Sequence, residues 1–145
     1  MSTSSMRRVA VVSILGLAVT ACAFGPPPSC GEKIGGTADT ARFDQYFRTM
    51  VLVSQTTGQP GPEGENGAEL AREDALVIQV DARTEVSVRG CVQPRSGGGK
   101  IPFDQTQTLP QGRGAVSMGT FEPGSYVVRV IVDGILVKNL PFVTE

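Results

Sequence analysis

The chain is predicted to be all-β: an antiparallel sandwich of about seven strands behind an N-terminal leader and an extended tether. Three observations predict it. Apolar and polar residues alternate through much of residues 75–145, the period of strands with one face buried. Asp133-Gly134 separates two β-branched runs, Ser125 to Val132 and Ile135 to Val143, as the turn of a two-residue hairpin does. Glycine and proline clusters break the remainder into segments too short for ordinary helices.

Taken in order, the chain opens with a polar stretch carrying Arg7 and Arg8, an apolar run from Val9 to Ala18, and then Val19-Thr20-Ala21-Cys22. Charged, apolar and small segments in that order make an export signal. The apolar run falls short of the roughly 20 residues of a spanning helix, so a retained transmembrane anchor is the weaker reading. Val19-Thr20-Ala21-Cys22 resembles the lipobox of bacterial lipoproteins, with valine in place of the commoner leucine. The resemblance covers residues 1–22 and implies cleavage before Cys22, lipidation of its thiol, palmitate or a similar acyl group on the new amino terminus, and a cell-envelope location. Ala23 stands where an inner-membrane retention signal would place aspartate, which implies the outer membrane if the source is Gram-negative. The competing reading is an ordinary signal cut after Ala21, with Cys22 an incidental thiol. More than one acyl chain is needed for stable anchoring, since each buried methylene contributes about 0.8 kcal/mol.

Removing residues 1–21 leaves 124 of the 145 residues, enough for one small domain. Arg7 and Arg8 leave with the signal, so eleven basic residues face fourteen acidic ones. That acidic balance argues against a nucleic-acid surface. With Cys22 assigned to lipid, Cys30 and Cys91 remain as a pair, and in an oxidising compartment the expectation is a disulfide. Closing that loop contributes roughly 4 kcal/mol by the chain-entropy argument. Metal binding by two thiols lacks histidine and CxxC spacing.

Residues 22–40 read as the lipidated tether, because Gly25-Pro26-Pro27-Pro28 cannot be helical. The domain spans 41–145. Phe43 to Val53 is the first strand, with a helical turn as an alternative for its beginning. Residues 58–67 place glycine at every third position, yet three triplets cannot hold a collagen helix, so a flexible acidic loop is expected. Ala75 to Val80 and Val86 to Val92 are strands, the second with a bulge at Gly90. Pro94 to Lys100 is a mobile connection, and short strands follow at Ile101 to Leu109 and Gly114 to Met118.

In the C-terminal hairpin, an uninterrupted register opposes Val132 to Ile135, Val130 to Val137 and Val128 to Asn139. The face with Tyr126, Val128, Val130, Val132, Ile135 and Val137 is then the core face. The other face presents Val127, Arg129 and Ile131 against Leu140, Lys138 and Leu136, with Phe142 beyond. Arg129 and Lys138 oppose each other there, which costs energy unless the face is wet or covered. This is the candidate partner surface; the alternative is that residues 43–53 fold over it, bringing Asp44 to the cations. Phe121-Glu122-Pro123-Gly124-Ser125-Tyr126 leads a tyrosine into a strand, which resembles the approach to the penultimate strand of immunoglobulin-like sandwiches. That resemblance spans about residues 75–145 and implies a tyrosine hydroxyl bonded back across the corner. The Cys30 and Cys91 positions do not match the immunoglobulin inter-sheet disulfide, and the chain has no tryptophan.

No histidine is present, which removes Ser-His-Asp and Cys-His catalysis. Carboxylate chemistry at a pair such as Asp81 and Glu85 is the remaining enzymatic route. No catalytic residue, metal or cofactor is assigned. The functional expectation is a membrane-anchored envelope lipoprotein acting as a non-catalytic interaction or structural module with an envelope protein as partner. The alternative is a cell-wall glycan binder or carboxylate-based hydrolase, disfavoured because aromatic platforms for sugar are scarce.

Overall fold

The computed structural model describes Cys30, residues 36–96 and residues 101–145. The leader, with Cys22, and part of the Pro94 to Lys100 connection lie outside the described residues. Asp39 caps a short helix α1 (Thr40–Tyr46), its carboxylate accepting from the Arg42 backbone N–H at 2.9 Å. The chain then extends into β1 (Phe47–Ser54), so the region expected to begin a strand divides into a helical turn and a strand. The remaining strands are β2 (Glu63–Gly64), β3 (Gly67–Leu70), β4 (Leu76–Ala82), β5 (Val86–Pro94), β6 (Phe103–Leu109), β7 (Gly112–Gly119), β8 (Gly124–Val132) and β9 (Ile135–Thr144).

They form two sheets, β1-β4-β7 and β2-β3-β9-β8-β5-β6, antiparallel throughout except for β3 beside β9. The chain is thus mostly β. Between the sheets, Met50, Leu52, Leu76, Ile78, Val80, Val116 and Met118 pack against Val88, Val92, Val128, Val130, Val137 and Phe142. β1, β4, β7, β5 and β8 supply alternate residues to this layer, as the period-2 pattern requires. Phe121, Tyr126 and Phe142 close one end, with ring centroids 5.2 to 5.7 Å apart. The Tyr126 hydroxyl donates to the Glu122 carbonyl oxygen at 2.8 Å, which is the corner bond the sequence pattern implies.

Residues 58–67, expected as a flexible extended loop, are mostly loop and turn but include the short strand β2 and the first residue of β3. Pro60 bridges to Val53, and β2 and β3 form a small hairpin that lays β3 parallel on β9. Glycine makes the approach feasible. Gly67 has φ +100°, and a Cβ there would sit 2.3 Å from the Pro141 carbonyl oxygen. The expected bulge at Gly90 is also absent: β5 keeps one register with both neighbours. Val86, Val88, Gly90 and Val92 are in phase, so Gly90 fills an inward position facing the Phe103 ring and no extra residue is needed.

Candidate interaction surface

The β8–β9 hairpin is the part of the domain on which the sequence places its partner surface, and its turn forms as expected. Asp133 and Gly134 both adopt positive φ, 51° and 74°, as a type I′ turn demands. The register beyond the turn is different. Val132 opposes Ile135 and Ile131 opposes Leu136, but Val130 then opposes Lys138, leaving Val137 as an extra residue. This bulge moves everything after it to the opposite face.

Of the six residues expected on one surface, Val127, Arg129, Ile131 and Leu136 stay together, and all four are buried. Lys138 and Leu140 do not join them. Leu140 packs against the main core, and Phe142, expected outside, is fully buried within it. Lys138 sits on the core side opposite Val130, its Nζ 4.8 Å from the centroid of the Phe43 ring. The bulge removes the expected clash of cations. Arg129 now faces Asn139 and donates to the Gln93 side-chain oxygen at 3.4 Å.

The cover over this face is also not the one expected. Residues 43–53 serve the main core, and Asp44 is exposed. Instead Cys30, bonded to Cys91 with their Cα atoms 6.0 Å apart, joins Ile131 and Leu136 in a small outer cluster, with Ala38 and Ile101 against it. Two hydrogen bonds fasten the segment that leads into α1. The Asp39 N–H donates to the Leu136 carbonyl at 2.9 Å, and the Asn139 amide donates to the Gly36 carbonyl at 3.2 Å. A Cβ on Gly36 would lie 3.1 Å from both the Arg129 guanidinium and the Leu136 methyl. Cys30 and residues 36–39 thus form a strap on the outer face of the larger sheet.

Beyond the strap, that face carries a bidentate ion pair. Arg89 on β5 reaches Asp104 on β6 at 2.8 and 2.9 Å. The hydrogen bonds from Arg89 hold the Asp104 carboxyl below its usual pKa, and those to Asp104 raise the guanidinium's own. The outer face of the smaller sheet holds a shallow concavity of about 640 Å³ lined by Thr49, Val51, Gln79, Asp81, Arg113 and Ala115. A cleft of about 430 Å³ is lined by residues of β1, β9 and the β2–β3 region, among them Met50, Leu52, Leu140, Lys138 and Glu63.

The acids considered for carboxylate chemistry sit in different surroundings. Asp81 is engaged by Arg48 at 3.0 Å, while Glu85 lies exposed in the turn after β4. Among the described residues, no three potential metal ligands are gathered in one place.

No protein-family model matches the chain, and no curated protein does. Among solved structures, it is similar to the beta-D-glucoside glucohydrolase from Trichoderma reesei, at 9% identity and a TM-score of 0.37. That match covers 68% of this chain and 18% of the other, and a likeness of this size carries no inference about activity.

Proposed function

We propose that this chain is a lipid-anchored, non-catalytic interaction and structural module of a bacterial cell envelope, held by Cys22 and presenting an immunoglobulin-like sandwich to an envelope partner. The observation that carries the reading is the Cys30–Cys91 disulfide, which accounts for two of three cysteines and leaves Cys22 for the lipid. It also sets where the tether meets the domain. Eight peptide steps separate Cys22 from Cys30, a reach of at most about 29 Å. The domain therefore stays close to its membrane, with the outer face of the larger sheet turned towards it.

The finer fold assignment is supported by strand order, three strands β1-β4-β7 against a sheet that contains β9-β8-β5-β6, and by the Tyr126 corner bond at the start of the penultimate strand. The outer membrane is the expected site in a Gram-negative source. Growth with a clickable fatty acid, followed by membrane fractionation, tests the anchor. The native chain is expected in the membrane fraction carrying label, and Cys22→Ala is expected to lose both. Label retained on the variant, or none on the native chain, overturns the proposal.

A further inference from the structure

Three of the four sheet edges are short, interrupted or obstructed. β2 has two residues. β1 shifts register between Phe47 and Thr49, and Pro60 bridges Val53 near its end. β7 shifts register against β4 near Met118. Gln105 and Gln107 share the inward face with Val88 and Phe103 yet remain exposed, so the smaller sheet leaves this part of β6 uncovered. Natural edges are commonly protected by such bulges, prolines and brevity.

Among the described residues, the edge of β6 has none of these protections. Its seven residues, Phe103-Asp104-Gln105-Thr106-Gln107-Thr108-Leu109, pair with β5 in one unbroken register. Proline occurs only outside the strand, at Pro102 and Pro110. Its single charge, Asp104, is drawn across the sheet to Arg89. The five residues between Phe103 and Leu109 are all exposed.

We propose that β6 pairs with β6 of a second copy, antiparallel about a twofold axis at Thr106, joining two larger sheets into one. The strand is nearly a palindrome about that residue. Thr106 meets itself, Gln105 meets Gln107, Asp104 meets Thr108 and Phe103 meets Leu109. All opposed residues share a face, no like charges meet, and threonine and glutamine supply cross-strand hydrogen bonds. The interface is isologous, as a closed dimer requires.

The tether is compatible with this geometry. A twofold axis that continues an antiparallel sheet stands normal to it, so both straps lie on the same side. Both lipid anchors then reach one membrane. This last point rests on the anchor reading; the pairing rests on β6. Seven residues per copy make an interface below the usual size for stable complexes, about 1,200 Å². Confinement to a membrane supplies the effective concentration that so small an interface needs.

Thr106→Cys in the full-length chain tests the pairing, since directly opposed Cβ atoms lie about 4.5–5.5 Å apart. Mild oxidation of membranes is expected to give a disulfide-linked homodimer, several-fold above that of Ser117→Cys on β7. Thr106→Lys and Thr106→Asp, each introduced beside a Thr108→Cys reporter, are expected to lose the product singly and regain it when co-expressed; the cross-linker is a long flexible bismaleimide, because the two reporters lie roughly 14 Å apart in this register. Circular dichroism of the purified variants establishes that the fold survives. The same cysteine in a Cys22→Ala background, at high protein concentration, reads the pairing without the anchor. A homodimer there but not on membranes overturns the anchored arrangement alone. Thr106→Cys cross-linking no better than Ser117→Cys in every setting, capture of a different chain instead, or dimers that persist in Thr106→Lys overturns the pairing.

Discussion

The two faces of the larger sheet are both dry for part of their extent, but they are built differently. The inner face is made by repetition: Val128, Val130 and Val132 on β8 and Val88 and Val92 on β5 meet the alternate residues of the other sheet, with Phe142 filling the end. The outer face is made by attachment. Cys30, Ile131, Leu136 and Cys91 form a small cluster, and what holds the strap there is one covalent bond and a few hydrogen bonds. The first kind of burial distributes stability over many residues, whereas the second concentrates it in a cross-link. That difference predicts a graded set of responses.

The largest effect is expected on the inner face. Phe142 is fully buried and touches both the Phe121 and Tyr126 rings. Phe142→Ala is expected to cost about 3–5 kcal/mol, through lost transfer energy and a cavity. Chemical denaturation should show one cooperative transition at a much lower midpoint.

Removing the cross-link should be milder globally and sharper locally. The Cys30→Ala, Cys91→Ala double variant is expected to lose about 2–4 kcal/mol, mainly through a less constrained unfolded state. Hydrogen exchange should then rise at the Asp39 amide, which bonds Leu136, while amides of β5 and β8 stay protected. Equal loosening of both faces would show that the inner layer also depends on the disulfide.

A smaller effect belongs to the Arg89–Asp104 pair. Asp104 is held below its ordinary pKa in the folded chain, so its contribution is present above the unfolded carboxylate value and is lost as pH falls through the lowered folded one. Because Asp104 is more than a third exposed, that contribution stays below about 1 kcal/mol. Asp104→Asn is expected to reduce stability slightly at neutral pH and to flatten the acid limb of the stability profile.

The same contrast explains what the sequence made legible. The inner face could be read because alternation is local and cumulative, and the Asp133-Gly134 turn because two positive φ angles select those residue types. The bulge at Val137 could not be read, because an intact alternation satisfies the same pattern; burying Phe142 and packing Leu140 against the core while seating Leu136 under the strap decides it. The β2–β3 hairpin was hidden in a glycine-rich stretch whose strands have two and four residues, too short to show a period. The strap has no period at all, and cysteine pairing was the one signal of it. Four of the six residues assigned to the candidate surface do share a face, but under a cover that the pattern does not encode. The edge of β6 carried a signal that pattern reading passes over, the near-palindrome between two prolines.

The proposed anchoring is tested most directly by asking which face of the domain lies nearer a membrane. Ser87 lies exposed on the outer face of the larger sheet and Ser117 exposed on the outer face of the smaller one. A fluorophore at Ser87→Cys or Ser117→Cys, in the lipidated chain on vesicles with a headgroup quencher, compares the two. Clear quenching is expected at position 87 and little at position 117; equal quenching, or the reverse order, would contradict the proposed anchoring.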